Sequence, residues 1–220
     1  DKTGTLTLNQ MTAREVYFRG RHFTVSGEGY AGVGEISAQH TAQDSTQDRL
    51  PLPDFEPLLT PAALCTDSSI RDGKLIGDPT EGALLALAGK GGGGGHHETS
   101  ATALPTDCPR IAEIPFDSAH KFMATFHRDG AQVRMLVKGA PDVLLARASR
   151  FLGADEGADA PLAATDRAAF ETETTRLASQ AMRVLAVAHR DIALPDFDPT
   201  ADLMPWAQQL SLVGLVGLID

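Results

Sequence analysis

The chain has 220 residues, 42% of them hydrophobic, with 29 acidic against 19 basic side chains and a net charge of −10. That is enough for one sizeable globular domain or two small ones, and the acidic balance argues against nucleic acid as a partner, so any anionic ligand must be met by a local cluster of bases. Cys65 and Cys108 stand apart with no Cys-x-x-Cys pair, which points to a reducing setting, and no stretch approaches the about 18 apolar residues of a membrane span: Leu210 to Ile219 is broken by Gly214 and Gly217.

In chain order, Asp1-Lys2-Thr3-Gly4-Thr5-Leu6-Thr7 comes first. A carboxylate beside a cation and two hydroxyls is equipment for phosphate chemistry: Asp1 can attack phosphorus, Lys2 can screen its oxygens, and Thr3 and Thr5 can hold them. The plain alternative is a β-prone segment with a glycine bend. Ala13 to Phe18 and His22 to Ser26 read as a hairpin turning at Arg19-Gly20-Arg21. Gln39 to Asp54 is polar and reads as an exposed connection, followed by a helix from about Phe55 to Ser69. A second helix spans Asp78 to Lys90, with Asp78 as N-cap, Pro79 at N1 and Glu81 closing a capping box. It stops at Gly91 to Gly95, which with His96 and His97 reads as a flexible loop to about Thr106. Gly89-Lys90-Gly91 lacks the earlier glycine and following hydroxyl of a nucleotide P-loop, and His97-Glu98 lacks the second histidine of a zinc-protease helix; metal binding by His96 and His97 stays open.

Strands follow at Arg110 to Pro115, Lys121 to Arg128 and Gln132 to Lys138, helices at Pro141 to Phe151 and Thr165 to Ala181, and strands at Arg183 to Arg190 and Leu210 to Ile219. In the third of these strands Val133, Met135 and Val137 share one face, leaving Arg134, Leu136 and Lys138 on the other. A continuous extension would put Phe116 and Lys121 on opposite faces, but Pro115 and the polar tetrapeptide between them should break it and allow both into one pocket. The alternative is a core Phe and a surface Lys. Arg183, alone at the start of an apolar strand, calls for an anionic partner.

Taken together, the motifs identify a resemblance to the P-type cation pumps that covers the whole chain. Asp1 to Thr7 resembles their phosphorylation motif, whose first aspartate becomes an aspartyl phosphate; the likeness makes Asp1, Lys2 and Thr3 catalytic and gives Mg2+ to Asp1 and Thr3 in the full-length protein. Gly77-Asp78-Pro79-Thr80-Glu81 resembles the nucleotide-domain motif whose glutamate faces the adenine amino group. Phe116 to Met123 is similar to Phe-x-Ser-x-x-Lys-x-Met, with the aromatic ring on adenine and the lysine at the nucleotide. Ser118 stands where animal calcium pumps place an arginine reaching the phosphates. Lys138-Gly139-Ala140-Pro141-Asp142 resembles the segment whose lysine lies deep in the ATP cleft, and Arg183 matches an arginine at the phosphates.

The resemblance implies an α+β fold, a mostly antiparallel sheet flanked by helices. Residues 1–10 would be a remnant of the phosphorylation domain, residues 11–211 the nucleotide-binding domain and residues 212–220 the returning hinge. The cofactor set is Glu81, Phe116, Ser118, Lys121, Met123, Lys138, Gly139 and Arg183, with ATP as ligand. The partners are the phosphorylation and actuator domains and membrane helices of the same polypeptide, on the cytoplasmic side of the membrane. The separate domain is expected to be monomeric and to bind ATP without turning it over, because the magnesium-binding aspartates and the Thr-Gly-Asp of the family are not in this sequence, and Asp1 to Thr7 is expected to be poorly ordered. Asn9 to Thr12, Val16-Tyr17, Gly29-Tyr30 and Gly34-Glu35-Ile36 look most like bacterial calcium pumps, ahead of proton, sodium or magnesium pumps. Two rival readings are a phosphatase of haloacid dehalogenase type, which usually has a second aspartate where Thr3 stands, and a non-catalytic acidic interaction domain.

Overall fold

The computed structural model describes residues 10–30, 32–39, 51–91, 108–154 and 159–220. Asp1 to Thr7 and most of the Gly91–Thr106 loop, His96 and His97 included, lie outside the described residues, as does the larger part of the Gln39–Asp54 connection.

The first hairpin is β1 (Thr12–Phe18) and β2 (Arg21–Val25), paired from Phe18 with Arg21 to Glu15 with Thr24. The turn is only Arg19-Gly20, both with positive φ, which suits the twist of a two-residue hairpin. A short strand β3 (Ile36–Ala38), not foreseen in the sequence, extends the sheet beyond β2. The expected helix to Ser69 is shorter: α1 (Glu56–Leu64) ends at Cys65, and a small hairpin follows, β4 (Ser69–Arg71) with β5 (Lys74–Ile76). Asp72 and Gly73 form its turn with φ of 50° and 70°; the Asp-Gly pair is a hairpin signal just beyond the expected helix, in a stretch given no element. Next come α2 (Pro79–Lys90), β6 (Arg110–Ile114), β7 (Phe122–Asp129), β8 (Gln132–Gly139) and α3 (Pro141–Arg147). The expected helix to Phe151 is corrected as well, because Ala148–Phe151 forms β9, which pairs with the first residues of the last strand where β1 does not reach them. β10 (Ala160–Pro161), α4 (Ala164–Ser179), β11 (Arg183–Ala193) and β12 (Leu210–Ile219) complete the chain.

The main sheet runs β3-β2-β1-β12-β11-β8-β7-β6, antiparallel throughout, with β9 and β10 attached beside the start of β12. This is the α+β architecture expected, a mostly antiparallel sheet between helices. The segment assigned to a returning hinge lies in β12, hydrogen-bonded to β1 on one side and β11 on the other. Strand β12 is buried from Leu210 to Leu218, so its ten residues read as a continuous apolar run because both faces are covered. Its glycines admit neighbours: a Cβ on Gly214 would meet Leu58 of α1, and one on Gly217 the sulfur of Met182.

Alternation sends side chains to two cores. Phe122, Ala124, Phe126, Val133, Met135 and Val137 face α3 and α4, joining Leu144, Leu145, Phe170 and Leu177. On the opposite face Val16, Phe18, Val187, Val213 and Val216 pack against Leu58 and Ala62 of α1 and Ala83, Leu84 and Leu87 of α2. Among the described residues no helix is long and apolar enough to cross a membrane.

One buried group makes this core sensitive to acid. His127 is 3% exposed, with Nδ1 donating to the Cys108 carbonyl at 3.3 Å and Nε2 accepting from the Thr125 hydroxyl at 2.9 Å in the neutral ring. Burial lowers its pKa below the ordinary 6.5, helped by the Arg110 charge and opposed by the Cys108 hydrogen bond. The unfolded chain therefore takes up a proton before the folded one does, and this contribution to stability, complete above the unfolded value, is lost as pH falls toward the lowered value. Urea unfolding followed by Trp206 fluorescence should show stability declining as pH falls below about 7, with a shallower decline in His127→Gln; equal slopes would assign the effect to other groups.

Candidate nucleotide site

The N-terminus of α2 anchors the site. Asp78 has extended backbone and caps the helix, its Oδ1 accepting from the amides of Thr80 at 2.8 Å and Glu81 at 3.2 Å. The expected capping box is not closed by Glu81 directly. The Asp78 amide donates instead to the Ser68 hydroxyl at 2.9 Å, and that hydroxyl donates to Glu81 Oε2 at 2.5 Å. Glu81 is held away from its own helix cap because Oε1 receives Lys138 Nζ at 2.7 Å, while Oε2 also accepts the Asp67 amide at 3.2 Å. Gly77, at φ +131°, lets this happen: a Cβ there would lie 2.0 Å from Ser68 Oγ.

Lys138 projects from β8 on the face opposite Val137 and is 7% exposed. Burial would raise the pKa of Glu81, but the hydrogen bonds from Lys138 and Ser68 and the Lys138 charge outweigh it, and the carboxyl titrates below the ordinary 4.5. Gly139, next along β8, faces the backbone of the preceding strand so closely that a Cβ would sit 2.6 Å from the Lys121 carbonyl oxygen. That contact is sealed by the Ala140 amide donating to the same oxygen at 3.0 Å.

Lys121 adopts a left-handed backbone, φ 57°, at the end of the break expected between Phe116 and itself. Asp117 shapes this break, its carbonyl accepting the Lys121 amide and its Oδ1 the Ala119 amide, each at 2.7 Å. His120 Nε2 meets the Pro115 carbonyl at 3.0 Å and its ring lies against Phe122. The result leaves Phe116 64% exposed and brings it and Lys121 to the same wall. From β11, Arg183 Nη1 donates to the Thr80 hydroxyl at 3.1 Å. Among the described residues neither Arg183 nor Lys121 has a carboxylate partner.

These groups enclose a cavity of about 760 Å³, lined by Glu81, Phe116, Lys121, Lys138, Gly139 and Arg183, with Asp67, Ser68, Gly77, Asp78, Thr80, Ala140, Val184 and Leu185 completing it. Six of the eight expected ligand-binding residues thus meet. Ser118 and Met123 do not: Ser118 is exposed on the turn, and Met123, cross-strand partner of Lys138, is 1% exposed and packs with Cys65 and Leu136. Sequence reasoning missed the Asp67-Ser68 loop. Its Thr-Asp-Ser composition is a turn signal that stood inside a segment read as helix. Asp1, Lys2 and Thr3 lie outside the described residues. Among the described residues no three His, Cys, Asp or Glu side chains gather to hold a metal.

Compared with known families, residues 54–220 match the one described as "P-type ATPase, cytoplasmic domain N". A cation-transporting ATPase of Synechocystis sp. is 38% identical over 226 residues, covering 100% of this chain and 23% of that protein. A calcium-transporting ATPase of Bacillus subtilis is 37% identical over 225 residues, with 100% and 24% covered. The human calcium-transporting ATPase type 2C member 1 is 33% identical over 226 residues, with 100% and 21% covered. The chain therefore spans about a quarter of the length of these relatives. On the breadth of the family match and its agreement with the architecture, this chain belongs to the P-type ATPase family as its cytoplasmic domain N.

Proposed function

We propose that this domain binds ATP for a P-type cation-transporting ATPase and presents its γ-phosphate to Asp1. The observation that carries the reading is the cavity itself, where an exposed aromatic ring, Phe116, stands with Lys121, Lys138 and Arg183 in a protein of net charge −10. An aromatic ring open to solvent in the wall of a cavity that also holds cationic groups offers a ligand a face to cover, and the adenine face fits. Glu81, ionised and acceptor-only, would meet the adenine amino group. Lys121 and Arg183 would meet phosphate oxygens, with Gly139 beside them in the cavity wall.

In the whole protein, a carboxylate oxygen of Asp1 would attack the γ-phosphorus, forming the acyl phosphate as the bond to the β-γ bridging oxygen breaks and ADP leaves. Lys2 and Thr3 would steady the transferred group. Magnesium would neutralise phosphate charge; the described residues offer it no site, and Asp1 and Thr3 with other parts of the polypeptide are assigned to it. We assign the phosphorylation domain, actuator domain and membrane helices of the same polypeptide as partners, and the cytoplasmic face of the membrane as location. Calcium is the favoured ion, since two of the relatives above are named calcium-transporting ATPases.

Stacking of a base on an aromatic ring is worth about 1–3 kcal/mol, so Phe116→Ala should weaken ATP binding about ten-fold or more by calorimetric titration. Its melting temperature should stay unchanged, because the ring is mostly solvent-exposed. Unaltered affinity in the folded variant would remove the base from this cavity. A second expectation concerns metal: ATP should bind this chain in excess chelator about as well as in magnesium, and incubation with γ-labelled ATP followed by acid quench should leave no label on Asp1. Loss of binding in chelator, or labelled Asp1, would contradict the assignment of phosphoryl transfer to the larger protein.

A further inference from the structure

We infer that Ser68 is a positioning residue for base recognition: its hydroxyl fixes the Glu81 carboxylate so that one oxygen faces the cavity, and thereby sets a preference for a purine bearing an amino group over one bearing an oxo group in its place. The inference rests on the ATP-binding reading and deepens it.

Each carboxylate oxygen can accept about two hydrogen bonds. Glu81 Oε2 accepts from Ser68 Oγ at 2.5 Å and the Asp67 amide at 3.2 Å, whereas Oε1 accepts from Lys138 Nζ at 2.7 Å, and the Thr66 hydroxyl is a weaker donor to the same carboxylate. The open acceptor position is therefore on Oε1, and Glu81 lines the cavity. Ser68 cannot turn its proton elsewhere. Its oxygen already accepts the Asp78 amide at 2.9 Å, so its single hydrogen points to Glu81. The hydroxyl is seated against the bare backbone of Gly77. From outside the cavity Arg110 clamps the loop, donating to the Thr66 carbonyl at 3.2 Å and the Asp67 carboxylate at 2.9 Å.

A carboxylate held in this way accepts from an amino group and repels the lone pairs of an oxo group. Without the Ser68 hydroxyl, Oε2 loses its shortest bond, the group can rotate, and it takes up a proton more readily. A protonated carboxyl can donate to an oxo group, so discrimination falls on both counts.

The test titrates ATP and inosine triphosphate into this chain and into Ser68→Ala, with the Glu81 carboxyl followed by carbon-13 NMR across pH. The unaltered chain should prefer ATP. Ser68→Ala should lose about ten-fold of that preference, the scale of one hydrogen bond to a charged group, and its Glu81 titration should move to higher pH. Preference and titration both unchanged, or equal loss of affinity for the two nucleotides, would overturn the role of Ser68 while leaving ATP binding intact. Failure of the unaltered chain to bind either nucleotide would instead remove the reading beneath it. Should Ser68→Ala not fold, Ser68→Cys, similar in size but a weak donor, is judged by the same two readouts.

Discussion

The interaction on which the site depends is the ion pair between Lys138 and Glu81, at 2.7 Å with both side chains largely withdrawn from water. Two charges brought out of solvent are tolerated only when geometry is good and the remaining lone pairs find donors. Here the second carboxylate oxygen has two donors, from Ser68 and Asp67. The pair ties α2 to β8, which are otherwise in different layers. Each end then places further groups: α2 carries Thr80 to Arg183, and β8 runs into Gly139, whose bare α-carbon accepts the Lys121 backbone and, through the Asp117 turn, Phe116. One contact between layers thus sets the relative positions of both walls of the cavity.

That pairing also decides where positive charge is available. Lys138 is neutralised by Glu81, so the field offered to an anion comes from Lys121 and Arg183. In a domain of net charge −10, Lys121 and Arg183 give this cavity wall a local positive field. The left-handed backbone at Lys121 is unfavourable for a residue with a Cβ. It is maintained by the Asp117 turn on one side and by the Ala140 amide on the other, which means that the backbone at this lysine is set before any ligand arrives.

What the sequence disclosed follows the range of the forces involved. Strand β8 could be read because Val133, Met135 and Val137 fall on one face by a local alternation, and the start of α2 because Asp78 and Pro79 are local signals. The break between Phe116 and Lys121 was visible in Pro115 and Asp117. Strand β9 was not, since Ala148–Phe151 has helix-compatible residues and becomes a strand only because β12 offers open hydrogen-bonding groups there. The Ser68 relay was hidden for the same reason: a capping box is an i to i+3 pattern, and here a residue ten positions earlier completes it. Met123 matched its motif by position, yet the pleat turned its side chain into the cluster with Cys65 and Leu136.

The place of β12 in the sheet has a bearing on how the domain is made. Thr12 pairs with Ile219 and Phe18 with Gly214, so the first strand finds its inner neighbour only when the last strand has been synthesised. Until then the inner edge of β1 has no strand beside it, although Phe18 and Phe23 can already meet Phe55, and β11 has an open edge on its other side. Such non-local closure is slow and leaves strand edges exposed during synthesis. A ribosome stalled just before Leu210 would hold the two flanks of the sheet without the strand that hydrogen-bonds to both.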